Sequence, residues 1–165
     1  MKELLQQFSA YHLWANNLLF QRILLLPDET VKAEVVSSFN SLYKTILHQW
    51  DAESIWWQRM KLEDQVVVPG LTFTGSTGEA VAALQTQSNQ WHTWLLATLE
   101  YQLSHEFIYR NSKKEQFKQP VYQVLQHLFN HGTYHRGQLV TMLRQLKVDK
   151  IPATDFIVWS HKRKA

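Results

Sequence analysis

Apolar side chains recur at steps of three and four in four long stretches of this chain, the spacing of helices that each bury one face. Leu4, Phe8, Tyr11, Ala15, Leu18, Leu19 and Ile23 mark the first, over residues 3 to 25, and Pro27 closes it. Phe39, Leu42, Ile46, Trp50 and Trp57 mark a second over 35 to 60, with Ser37 or Ser38 as its cap. The run VVVPGLTFTGSTG at 66 to 78 mixes β-branched residues with Gly and Pro, so it reads as a connection with a short extended piece. Ser76 or Thr77 followed by Glu79 signals a third helix through about Leu99, built on Val81, Leu84, Ser88, Trp91, Leu95 and Thr98.

The period then changes. Phe107 and Tyr109 alternate before a polar turn from Asn111 to Lys114, with Phe117 after it, which predicts a small hairpin within 101 to 118. Pro120 stands where a helix begins, and Val121, Val124, Leu125, Leu128, His131, His135, Leu139, Met142 and Leu146 trace one stripe roughly 40 Å long. Thr154 or Asp155 caps a short C-terminal helix carrying Phe156, Ile157 and Trp159. The pattern predicts an all-α four-helix bundle, a single domain over 1–165. The connections flanking the third helix, about sixteen to twenty residues each, are long enough to cross the bundle rather than turn back on it.

Composition narrows the function classes. An apolar fraction of 45% with seven tryptophans excludes disorder, and the 19% of charged residues is low enough that a partner subunit or a groove is expected to take up some apolar surface. No window approaches 18 uncharged apolar residues, so no membrane span is expected, and MKELLQQFSAYHLW does not read as a secretory signal. Cysteine is absent, which removes disulfides and thiolate ligands, and a cytoplasmic location is expected. The net charge of +3 vanishes when Lys162, Arg163 and Lys164 are set aside, so no basic stripe suggests nucleic acid.

The chemistry concentrates in HLFNHGTYHRGQ at 127 to 138. Side chains at i and i+4 share a helix face, so His131 and His135 can present two imidazoles to one metal ion, as can His127 and His131. All three span about 12 Å of axis, too far for one ion with bonds near 2 Å. The 131/135 pair is favoured because it lies in the apolar sector, where ring nitrogens need partners. Two histidines hydrogen-bonded across the core remain the alternative. The pair reads H-G-T-Y-H and lacks the glutamate of the H-E-x-x-H pattern. Gly132 and Gly137 each cost about 0.5–1 kcal/mol in a helix, so they either make room for a substrate or a close neighbour or are tolerated at the surface. Arg136, about 100° round from His135, suits an outer ion pair or a substrate anchor, and Gln138 a hydrogen bond to a neighbouring segment. A third ligand comes from another helix, from His12, His48, His92, His105, His161 or an acidic residue. Helical phase disfavours His48, which lies roughly 160° to 180° from Phe39, Ile46 and Trp57.

HLFNHGTYHRGQ, together with YHLWAN at 11 to 16, LYKTILHQWDAESIWWQR at 42 to 59 and the ending TDFIVWSHKR, resembles the DinB/YfiT-like family of metalloenzymes over nearly the whole chain. The resemblance implies that His48, His131 and His135 are the ligands of a divalent metal, zinc or nickel. It also implies an up-down-down-up bundle and a homodimer. It points to an open three-histidine site and a metal-dependent hydrolase of unknown small-molecule substrate. Alternatives are a transferase that takes a low-molecular-weight thiol as cosubstrate and a non-enzymatic, metal-stabilised interaction protein. Asp51, Glu53 and Tyr134 are candidates for supporting the ligands or moving a proton, and no catalytic residue is assigned.

Overall fold

The computed structural model describes residues 1–111 and 113–162; Ser112 of the expected turn, and Arg163 and Lys164 of the basic tail, lie outside them. In chain order the elements are α1 (Lys2–Ile23), α2 (Asp28–Lys32), α3 (Leu42–Met60), α4 (Thr77–Ala97), α5 (Glu100–Leu103), β1 (Glu106–Arg110), β2 (Gln116–Pro120), α6 (Val121–Gln145) and α7 (Phe156–Lys162). Four long helices, α1, α3, α4 and α6, make the predicted bundle, and no helix among the described residues is long and apolar enough to cross a membrane.

Local chemistry sets most boundaries. Ser76 caps α4 by accepting from the backbone N–H of Glu79, whose carboxylate accepts from the N–H of Ser76 in return, the reciprocal pairing expected from the sequence. The hairpin forms with Phe107 opposite Gln119 and Tyr109 opposite Phe117. The second bundle helix differs from expectation: it begins at Leu42, and its cap is Ser41, whose hydroxyl accepts from Lys44 N–H, not Ser37 or Ser38. Residues 35–41 are non-helical, and the short α2 lies before them. Within 66–78 a 3-10 turn, Pro69–Leu71, occupies the middle of the connection.

Side-chain pairings fix the helix directions. Gln6 bonds the Leu95 carbonyl and Asn17 accepts from Gln85, so α1 and α4 are antiparallel. Tyr43 bonds the Gly75 carbonyl and Glu53 meets Ser88 and Trp91, so α3 and α4 are parallel. Arg136 reaches His12 and Asn16, and Arg22 bonds the Asp149 carbonyl, so α1 and α6 are parallel, whereas Thr45 meets Met142 and Trp56 meets His127 across antiparallel α3 and α6. The topology is up-down-down-up. The 16-residue connection from Lys61 to Ser76 crosses the bundle so that α4 can run alongside α3 in the same direction.

The apolar core is divided. One cluster gathers Leu19, Phe20, Ile23, Leu42, Ile46, Leu84, Leu139 and Met142 at one end of the bundle. A second gathers Leu5, Trp91, Leu95, Leu103, Leu125 and Leu128 at the other, beneath the hairpin. Between them runs a buried polar layer of His12, Asn16, Gln49, Glu53, Ser88, His135 and Arg136. Such groups are costly in a core unless they are hydrogen-bonded.

Candidate metal centre

His131 and His135 stand one turn apart on α6, and their Nε2 atoms approach to 2.9 Å. The antiparallel α3 brings His48 Nε2 to 3.2 Å from His131 Nε2. One nitrogen from each ring lies within 4.8 Å of the other two. Two zinc–nitrogen bonds near 2.05 Å at a tetrahedral angle set their nitrogens about 3.3 Å apart, so the His131–His135 and His48–His131 pairs already have the spacing that a shared ion requires. His127 stays outside this group, as helix geometry requires, and rests edge-on against Trp56 with ring centroids 5.5 Å apart.

Neighbours set the tautomer and charge of the three rings. His135 Nδ1–H donates to Gln138 Oε1 at 2.7 Å, which leaves the Nε2 lone pair directed at His131. The Gln138 amide in turn donates to Ser38 Oγ at 3.0 Å and to the Tyr134 hydroxyl oxygen at 3.1 Å. Phe39 stacks on His48 with centroids 3.9 Å apart and covers one face of that ring. Burial, reinforced by His135, pushes the His48 imidazole down to about 4. Burial, with the neighbouring histidines adding to it, pushes His131 down to about 3. His135 is lowered by burial as well, against the opposing bond to Gln138. All three are therefore neutral near pH 7, the form that ligates metal. His135 is buried, while His48 and His131 keep partial access to solvent.

The helical-phase objection to His48 fails for a definite reason. Phe39 precedes α3, so its angle around the helix has no meaning, and it folds back onto the ring it was expected to oppose. The buried residues of α3 are Leu42, Thr45, Ile46, Gln49 and Glu53. His48 lies roughly 100° from the middle of that stripe, on the flank that α6 covers.

The remaining candidates have other partners. His12 bonds Glu53 and Arg136 inside the bundle, His92 Nδ1 lies 2.7 Å from Ser9 Oγ, and neither His105 nor His161 belongs to the cluster. Asp51 accepts from Gly70 N–H at 2.6 Å and ties α3 to the crossing connection, so it secures a loop and not a ligand. Burial raises its carboxyl against that bond. Glu53 accepts from Ser88 at 2.8 Å and faces His12 at 2.9 Å. Tyr134, 59% exposed, meets the His135 ring edge-on with centroids 5.0 Å apart and accepts from Gln138. Arg136 is 2% exposed and bonds His12, Asn16 and Thr133, which rules it out as a substrate anchor. The two glycines separate. A Cβ at Gly132 would sit 2.7 Å from His12 Nδ1, so Gly132 makes room for a neighbouring ring, whereas a Cβ at Gly137 meets nothing within 4 Å. Sequence reasoning missed Phe39, Ser38 and the link of Glu53 through His12 to Arg136. The visible signal for the last was a carboxylate at Glu53 on the buried spacing of α3.

Comparison with known proteins agrees with this architecture. The DinB family model matches residues 1–162. Protein DinB of Bacillus subtilis (strain 168) is 28% identical over 174 residues, covering 94% of this chain and 93% of that protein. Among solved structures, YfiT from Bacillus subtilis superposes with a TM-score of 0.71 at 16% identity, over 89% of this chain and 90% of its own; it is described as a probable metal-dependent hydrolase with an unusual four-helix bundle topology. A DinB-like protein of Bacillus cereus superposes with a TM-score of 0.67 at 16% identity, over 87% and 91% of the two chains. At these identities the structural likeness shows the shared fold.

Proposed function

The chain belongs to the DinB family, and on that premise we propose that His48, His131 and His135 together hold one divalent metal, zinc or nickel, in a metal-dependent hydrolase acting on a small molecule. The observation that carries this reading is the convergence of three neutral imidazole nitrogens, with the proton of His135 held away on Nδ1 by Gln138. Bound there, the metal would supply Lewis-acid activation of water or of a substrate carbonyl. Gln138 fixes the His135 ring, and Phe39 keeps water off one face of His48. The partial solvent access of His48 and His131 supports an exchangeable position, as opposed to a closed structural site. The description of YfiT as a probable metal-dependent hydrolase supports hydrolysis as the reaction class.

Metal analysis of the purified protein and of the His131→Ala/His135→Ala double variant tests the site. One ion per chain is expected in the parent and none in the variant; undiminished metal in the variant overturns the assignment. Hydrolysis is tested by screening activated esters and amides with the zinc- and nickel-loaded protein, where turnover should disappear on chelation and in His48→Ala.

A further inference from the structure

Apart from His135, the buried polar layer has no assigned role in holding metal, yet it connects the helices that carry the histidines. His12 Nδ1 accepts from the Arg136 guanidinium at 3.2 Å, so the ring proton sits on Nε2, which donates to Glu53 Oε1 at 2.9 Å. Asn16 packs at 3.0 Å beside that same Nε2 and accepts from Arg136 through Oδ1, also at 3.0 Å. Ser88 holds the second oxygen of Glu53, and the Arg136 guanidinium lies over the Tyr11 ring. His12, Glu53 and Arg136 are each 2 to 3% exposed. Outside the histidines, the side-chain hydrogen bonds joining α3 directly to α6 among the described residues reduce to Thr45 Oγ1 with Met142 Sδ at 3.6 Å.

We propose that His12 is a positioning residue for the metal centre: it braces Glu53 of α3 against Arg136 of α6 and so sets the separation and rotation of the two helices that carry the three histidines. This inference rests on the three-histidine reading above. Arg136 follows His135 and lies about 100° round the helix, so anchoring its guanidinium toward α1 turns His135 toward α3. Glu53, five residues after His48 and about 140° round from it, anchors α3 in the same way. Apolar ridges alone tolerate small sliding and rotation, whereas a ligand set must hold its geometry to within about 0.5 Å. Gly132 provides the space, because the His12 ring lies where a side chain at 132 would begin.

Titration with Co²⁺ at pH 7, followed by visible absorption, tests the brace. His12→Ala should bind Co²⁺ on the order of tenfold to a hundredfold more weakly, with altered absorption bands, as for loss of a residue that orients ligands. Arg136→Lys, which keeps the charge but loses the guanidinium fork, should weaken binding too and serves if the alanine variant does not fold. His12→Gln, whose amide both donates and accepts, should recover most of the affinity. Leu95→Ala, in the apolar cluster beneath the hairpin, should lower thermal stability yet keep parent affinity and spectrum, which a merely structural role for His12 would not distinguish from His12→Ala. Parent affinity and spectrum in folded His12→Ala or Arg136→Lys would overturn the brace while leaving the three-histidine reading intact. Failure of the parent protein to bind Co²⁺ would overturn both.

Discussion

Alanine at position 132 and alanine at position 137 should shift stability in opposite directions, although both replace a glycine in the interior of α6. Gly→Ala in a helix gains about 0.5–1 kcal/mol from the reduced freedom of the unfolded chain. At Gly137 nothing lies within 4 Å of the new methyl group, so that gain should appear in full. At Gly132 the methyl group would sit 2.7 Å from His12 Nδ1 and closer still to Cε1. The ring cannot yield freely, because Glu53 and Arg136 grip its two nitrogens. Overpacking costs about 1–3 kcal/mol. Losing one bond to a charged partner adds about 1.5–3 kcal/mol. The balance at 132 is a net loss of about 2 kcal/mol or more. For a chain of this size each kcal/mol moves Tm by about 2–4 °C. Thermal unfolding in chelator, which removes any contribution from bound metal, should therefore show Gly132→Ala lower by roughly 6 °C and Gly137→Ala higher by about 2 °C. Equal stabilisation of both variants would refute the packing of His12 on α6 and, with it, the rigidity of the buried layer.

Two further expectations concern the histidine cluster. Because burial holds His48 at about 4 and His131 at about 3 against an ordinary 6.5, the unfolded chain takes up protons below pH 6.5 before the folded one does. Metal-free protein should be fully stable above that pH and lose stability as the pH falls from 6.5 to 5, before carboxylates titrate; a urea midpoint that stays flat over this window would contradict the burial of the two rings. Gln138→Ala frees His135 to carry its proton on Nε2, so metal affinity should drop about tenfold or more with little change in fold. Titration calorimetry paired with circular dichroism reads both, and parent affinity in the variant would remove Gln138 from the site.

Legibility in the sequence followed the range of the interaction. The Ser76/Glu79 capping pair, the Pro120 start of α6 and the hairpin turn are decided within a few residues, so spacing alone exposes them. The pairing of His131 with His135 is of the same kind, and so is the exclusion of His127. His48 could not be reached by periodicity, because Phe39 lies in a non-helical segment that resembles the helix in composition. Family motifs supplied what phase could not. The bonds within the polar layer are not legible: Glu53 and His12 are 41 residues apart and Arg136 and His12 are 124 apart, so no local spacing joins them. Helical phase places Arg136 about 100° from His135 and so suggests an outer ion pair or substrate anchor; phase within α6 does not reveal that His12 and Asn16 of α1 bury it.

His48 and His131 are separated by 83 positions, with the crossing connection, α4 and the hairpin between them. During synthesis His48 leaves the ribosome long before its partners exist, and the intervening segment must dock before the rings can meet. Closing a loop of that length carries an entropy cost that only the completed bundle offsets. On the proposed three-histidine reading, metal loading would follow folding through α6, because a nascent or truncated chain ending before His131 has one histidine of the trio to offer.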